Sequence, residues 1–353
     1  MRRPILFLCT LTAAVALMLP GVVEAASKSQ AKSPSSASKK TATAKSNAKA
    51  GKQQARTTYV TRNKAAAVKP RSTVARTAIA SARNNVRVAK TSTLPSTLDH
   101  PGVQSSGVLV LNEISGEVIY EKNADNVTPI ASITKLMTAM VTLDAHLPMN
   151  QLITISDEDT DTLKGTSSRL TVGTTLTRAE VMLLALMSSE NRAAAALARS
   201  YPGGRDLFIR KMNEKAAMLG MRNSRFYDST GLTPNNVSTP RDLALMVKAA
   251  HGYPEIHHFT TSSEYSFVSN ATGRELIFRN TNPLVKDEDW QIGISKTGFI
   301  NEAGRCLVMQ ATIDDTPVVM ILLDSNGKYT RIGDATRVRK WLENSPTAKL
   351  RAG

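Results

Sequence analysis

Ser132-Ile133-Thr134-Lys135 sets a hydroxyl and an amine three residues apart, and on a helix that spacing makes them neighbours on one face. The chemistry such a pair offers is nucleophilic acyl transfer. A serine attacks only when a base takes its proton, and an amine serves as that base only when burial or nearby positive charge lowers its pKa. Leu136, Met137, Met140 and Val141 supply apolar company on the same stretch. Spacing alone is weak testimony, because Ser-x-x-Lys also occurs at Ser29, Ser36, Ser46 and Ser325. The first three lie in a segment without apolar periodicity, and Ser325 falls at a Gly-containing turn. Ser132 and Lys135 are the pair with a helix beneath them.

Two further clusters each occur once. Ser189-Glu190-Asn191 follows the apolar run Val181-Met182-Leu183-Leu184-Ala185-Leu186-Met187, an unusual lead-in for polar groups unless they have a task. A plain alternative is that Ser188-Ser189 caps a helix running from Asn191 to Arg199. Lys296-Thr297-Gly298 sits inside a strand-like run, where glycine lets another backbone approach closely. Its plain alternative is an ordinary lysine on an edge strand.

These groups need a scaffold. Gly107 to Asn112 and Glu117 to Tyr120 read as two strands joined by a tight turn. Helical periodicity covers Ile133 to Leu143, Arg178 to Ala198, Arg205 to Leu219 and Thr239 to Ala250; Gly220 ends the third, and Ser238-Thr239-Pro240 heads the fourth. Strand-like runs return at Glu264 to Val268, Glu275 to Arg279, Ile292 to Thr297, Cys306 to Ile313 and Val318 to Leu323. A last helix, Thr330 to Glu343, lines up Ile332, Ala335, Val338, Trp341 and Leu342. The order predicts an α+β fold, an antiparallel sheet flanked by helices with an inserted helical lobe.

The chain has 353 residues and a formal charge of +16, from 45 Lys plus Arg against 29 Asp plus Glu. Location decides what that excess means. Residues 26–98 hold 16 basic and no acidic side chains, while residues 99–353 carry 27 basic and 28 acidic ones. A nucleic-acid-binding body would carry the excess itself, so that class is excluded for the folded part. Residues 1–25 read as a secretory signal, with Arg2-Arg3 before the apolar run Ile5 to Val23 and a small-residue cleavage site near Ala25. The expected location is the periplasm, with no stable membrane anchor after cleavage. Residues 26–98, rich in Ala, Ser, Thr and Lys, are expected to be a disordered basic tail, able to hold anionic envelope polymers or to act as a spacer. A domain over 99–345 and a short tail over 346–353 complete the expected organisation. Cys9 leaves with the signal and Cys306, among Leu307, Val308 and Met309, is expected to be a buried inert thiol. His251, Glu255, His257 and His258 fit no helical zinc spacing; with Gly252 and Pro254 among them they read as a polar loop, and neither metal nor cofactor is expected.

Taken in order, the nucleophile pair, Ser-x-Asn and Lys-Thr-Gly resemble the active-site set of the penicillin-recognising serine acyltransferases. Over roughly residues 100–344 the chain looks like low-molecular-mass penicillin-binding proteins of the D-Ala-D-Ala carboxypeptidase and endopeptidase family. The stretches 163–170, 187–193, 236–243 and 296–304 look most like the penicillin-binding protein 7 type, a D-alanyl-D-alanine endopeptidase. The resemblance implies a β-lactamase/transpeptidase-like fold and peptidoglycan peptides as substrates, with β-lactams as covalent inhibitors. It implies Ser132 as nucleophile, Lys135 as its base and Ser189 as proton relay to the leaving amine. Asn191 would hold a substrate amide, Lys296 and Thr297 a carboxylate, and Lys296 would help depress Lys135. Gly298 would lie along the substrate, and the backbone N–H groups of Ser132 and Phe299 would form the oxyanion hole. Only Ser345 to Gly353 follow the closing helix, where carboxypeptidases of this family carry a further domain and an anchor; the endopeptidase activity is therefore expected over the carboxypeptidase alternative. A secreted β-lactamase is disfavoured by the lack of a Glu-x-x-Leu-Asn loop, and a catalytically silent wall-binding protein by the intact motifs.

Overall fold

The computed structural model describes residues 100–353. The expected signal and basic tail, residues 1–98, lie outside the described residues. The chain runs β1 (Gly107–Asn112), β2 (Val118–Lys122), β3 (Thr128–Pro129), α1 (Thr134–Asp144), β4 (Leu152–Thr154) and β5 (Thr175–Thr177). It continues through α2 (Arg178–Met187), α3 (Asn191–Arg199), α4 (Gly204–Met218), β6 (Val237–Ser238), α5 (Pro240–His251) and α6 (Pro254–Thr261). It closes with β7 (Glu264–Val268), β8 (Glu275–Arg279), β9 (Gln291–Ile300), β10 (Gly304–Ile313), β11 (Thr316–Ser325), α7 (Thr330–Asn344) and α8 (Pro346–Ala352).

Local chemistry sets several of these bounds. The β1–β2 turn closes because Asn112 Oδ1 accepts from the N–H groups of Ile114 and Ser115, the local bonding that favours Asn in turns. Thr177 and Glu180 form a reciprocal capping box at the head of α2. Thr239 caps α5 by accepting from Asp242 N, with Pro240 in the first turn where its missing N–H costs nothing.

The main sheet is antiparallel in the order β2-β1-β11-β10-β9, so β9 has a strand partner on one side only. Both faces are covered. Along β11, Val319, Ile321 and Leu323 point to the core shared with α1, α2, α3 and α5, while Val318, Met320 and Leu322 point to the core under α7 and α8. Alternate side chains of a strand face opposite ways, and with both faces buried the sequence runs apolar without alternation. Each such aliphatic side chain contributes about 1.5–3 kcal/mol of burial.

Three expectations are corrected. The periodic stretch 178–198 is two helices, because Ser189 takes a left-handed turn with φ 62° between them. The histidine-rich stretch is a helix, α6, with Pro254 in its first turn, a position where proline starts helices and does not break them. Residues 346–352 form α8 and bury Ala348 and Ala352 where a tail was expected. Among the described residues no group of three His, Cys, Asp or Glu side chains could hold a metal ion, and no helix is long and apolar enough to cross a membrane. Cys306 is buried, and burial pushes its thiol up to about 11.

Candidate active site

Ser132 sits in a 3-10 turn, Ala131–Ile133, that feeds directly into α1. The turn is strained at Ala131, whose φ of 48° lies in the left-handed region, and strain of this kind clusters at sites that need a side chain aimed. Lys135, on the first turn of α1, is fully buried. Its Nζ donates to Ser132 Oγ at 2.8 Å, to Asn191 Oδ1 at 2.8 Å and to the Thr230 carbonyl at 2.7 Å, using all three donors of an ammonium. Burial pulls its pKa down to about 7 against the opposing charges of Asp228 and Glu190. Near neutrality much of this amine is therefore uncharged and able to take the serine proton.

A second set faces the first. Lys296 Nζ, also buried, donates to Ser189 Oγ and to the Thr297 carbonyl, both at 2.9 Å. Ser189 does not cap α3: Glu190 holds the cap position without a side-chain bond, and the left-handed turn at Ser189 delivers its hydroxyl to the lysine. Lys296 is held well below its ordinary pKa by burial and by the positive charges of Lys135 and Arg331. For Lys135 too the largest cause is burial, and the repulsion between the two ammonium groups acts on both. Thr297 Oγ1 donates to Thr281 Oγ1 at 2.7 Å. Phe299 is half exposed, with the Arg305 guanidinium 4.3 Å above its ring. Gly298 brings β9 onto the serine turn, since a Cβ there would stand 2.9 Å from the Ile130 carbonyl and 3.2 Å from Ser132 N.

The structure thus joins Ser132, Lys135 and Asn191 in one hydrogen-bonded set and Ser189 with Lys296 in another, with Gly298 against the serine turn. Sequence reasoning missed the loop that braces them. The Asp228 carboxylate accepts from the N–H groups of Thr230, Gly231 and Thr233, which fixes the Thr230 carbonyl on Lys135. Buried Asn236 donates to Thr134 Oγ1 at 3.0 Å and accepts from Tyr227 N at 2.7 Å, tying the same loop to α1. Asp228-Ser229-Thr230-Gly231 has the composition of a turn, the one signal in the sequence that marks it. Arg331 on α7 was missed as well. It is 8 % exposed, and its Nε and Nη1 have no hydrogen-bond partner; burial and the Arg305 charge lower its pKa. The Arg331 charge is felt at Lys296, whose pKa it helps to lower, and a guanidinium is a strong partner for an anion. A cavity of about 290 Å³ is lined by Asn191, Thr230, Leu163 and Tyr227 among others, and Ser132 is not part of its lining.

A profile of the D-alanyl-D-alanine carboxypeptidase family matches residues 94–327. The chain belongs to that family. With the D-alanyl-D-alanine carboxypeptidase family comes the enzyme class, a serine hydrolase of D-Ala-D-Ala bonds. The chain is 48% identical to a D-alanyl-D-alanine endopeptidase of Pseudomonas aeruginosa over 70% of its own length and 80% of that protein's. It is 46% identical to a D-alanyl-D-alanine endopeptidase of Escherichia coli, over 72% and 82% respectively. The fold superposes on the Streptomyces K15 DD-transpeptidase with a TM-score of 0.63 at 30% identity, covering 68% of this chain and 97% of that one. Family membership and this likeness bear out the β-lactamase/transpeptidase-like fold expected from the motifs.

Proposed function

We propose that this family member is a DD-endopeptidase of peptidoglycan, cutting D-Ala-diaminopimelate bridges through an acyl-enzyme on Ser132. The observation that carries the chemistry is the buried Lys135 amine, held to about 7 and 2.8 Å from the Ser132 hydroxyl. Neutral Lys135 takes the serine proton as Oγ attacks the D-Ala carbonyl; the N–H groups of Ser132 and Phe299 meet the oxyanion. Ser189, in contact with Lys296, returns a proton to the departing amine, and Asn191 holds a substrate amide. In a bridge that amine sits on a D-centre bearing its own carboxylate, as a terminal D-Ala does. Lys296, Thr297 and the unsatisfied Arg331 supply its receptor. The choice of bridges over free D-Ala ends is supported by the two endopeptidases that match over four-fifths of their length.

Product analysis by mass, on purified cross-linked dimers and on pentapeptide monomers in parallel, tests the reading. Monomers should appear from dimers faster than D-Ala from pentapeptides, and the reverse order returns the carboxypeptidase alternative. In the same assay Arg331→Leu should raise KM more than it lowers kcat, since the carboxylate is bound in ground and transition states alike. A fluorescent penicillin should label the enzyme stably; rapid turnover of the label identifies a β-lactamase, and no label a silent binding protein.

Export to the periplasm and retention there by the basic segment belong to the same proposal, supported by the signal-like start and the 16 basic residues of 26–98. An enzyme beginning near Leu98 should keep its rate on soluble fragments and bind isolated sacculi less tightly at low salt, where screening is weakest. Equal sacculus binding at low salt would reduce the segment to a spacer.

A further inference from the structure

The stretch from Asp161 to Leu170 joins the helical lobe to the turn after β9. Asp161 folds it, accepting from the N–H groups of Leu163, Lys164 and Thr166 at 2.8, 3.0 and 2.8 Å and from the Thr166 hydroxyl at 2.7 Å. Although burial opposes it, these bonds hold the Asp161 carboxyl below its usual range. Two more bonds pin the stretch to the Ser-x-Asn turn: Asn191 Nδ2 to Thr166 Oγ1 at 3.1 Å, and Ser168 Oγ to Glu190 Oε2 at 2.6 Å. From this braced arm Lys164 Nζ reaches Glu302 Oε1, 2.5 Å away in the β9–β10 turn.

That contact closes a ring. From Ser132 it passes through Lys135 to Asn191, on to Thr166 and Lys164, across to Glu302, and back along β9 to Gly298, whose backbone lies against Ser132. The following step rests on the reading given under Proposed function. With the leaving carboxylate at Lys296 and Arg331 and the scissile carbonyl at Ser132 and Phe299, the acyl-donor stem continues along β9 toward Glu302 and leaves through the ring. A ring has a topological consequence. A chain with a free end can be threaded through a closed ring, whereas a bridge whose two ends are both fixed to glycan has no end to thread.

We infer that Lys164 and Glu302 form a removable bar, a specificity-determining pair that must part for a cross-linked bridge to reach Ser132 and that a linear stem passes without disturbing. The pair is built to part. Its side chains are 30% and 41% exposed, and an ion pair so placed biases an equilibrium by no more than about fivefold. Opening needs only the two side chains to swing, on the order of nanoseconds for exposed rotamers, while the arm stays on Asn191 and Glu190.

The test locks the bar. In the full enzyme carrying Cys9→Ser, Lys164→Cys and Glu302→Cys are joined by a short bismaleimide; Cys306 is fully buried and does not compete. The joined enzyme should lose bridge cleavage in isolated sacculi by more than about tenfold relative to the unreacted variant. Its penicillin acylation and its release of D-Ala from linear pentapeptide should stay within about twofold. Lys164→Met alone should raise kcat/KM on bridges by about two- to fivefold and leave penicillin acylation unchanged. Undiminished bridge cleavage by the joined enzyme overturns the inference, as does equal loss of all three activities. A wild type that labels with penicillin yet cuts no bridges overturns the endopeptidase reading itself, and the inference with it, whatever the joined enzyme does.

Discussion

Lys135→Met should abolish most acyl transfer, lowering the rate of penicillin acylation by about 10²–10⁴, the range in which a positioned base contributes. The wild-type rate should rise with pH through about 7, because the neutral amine is the active form and Lys135 is held to about that value. In the variant that rising limb should vanish. Methionine fills similar space, so the buried site does not collapse, although Asn191 Oδ1 and the Thr230 carbonyl each lose a donor. Stopped-flow acylation across pH, beside a thermal melt, makes the check. A folded variant that acylates within tenfold of wild type would remove Lys135 from the role of base, and a persisting limb would assign the titration to another group.

Gly231→Ala carries the second large effect, although Gly231 touches no substrate in this reading. Its φ is +82°, and a Cβ there would lie 1.9 Å from the Ala131 carbonyl oxygen and 2.9 Å from Ser132 N. Neither side can yield freely. The Gly231 loop is fixed by Asp228, and the serine turn is fixed by Ile130 N donating to the Asn236 carbonyl. The clash should cost about 2–4 kcal/mol of stability and, by moving the Thr230 carbonyl off Lys135, about 10²-fold in acylation. Gly273→Ala is the control, since its φ is +67° with nothing within 4 Å of the added carbon. It carries the backbone penalty alone, about 1 kcal/mol, and should leave acylation intact. Equal effects of the two substitutions on acylation would show that contact with the serine turn is irrelevant.

What the sequence made legible was whatever depends on short spacing. Ser132 and Lys135 share a helical face, Val318 to Leu323 announce a strand, and Thr239-Pro240 marks a helix start. Hidden were the features set by partners far along the chain. The break at Ser189 is invisible because the apolar run 181–187 and the Ala/Leu run 193–198 keep one helical period across it. The hydroxyl that the break turns outward is held by Lys296, 107 positions away. Arg331 looked like one more polar residue on a terminal helix, and only the packing of α7 beneath the sheet buries it unsatisfied, with its charge felt at Lys296. Asp228 and Asn236 acquire meaning through Lys135 and Thr134, which come some hundred residues earlier. The main cause of the low Lys135 pKa was legible, since the apolar Leu136, Met137, Met140 and Val141 beside it foretell the burial that lowers it.

The position of β9 at the margin of the sheet has a colloidal consequence. An unpartnered strand edge is ordinarily a template on which a second copy of a protein adds its own strand, the first step toward ordered aggregates. Here the serine turn and α6 both pack against β9, and the Lys164–Glu302 contact spans from the turn at its end to the helical lobe. These elements cover part of the β9 margin and leave less of it on which a sheet from another molecule could add. The sheet can therefore end in an unpaired strand without offering the whole of that strand as a seed for self-association.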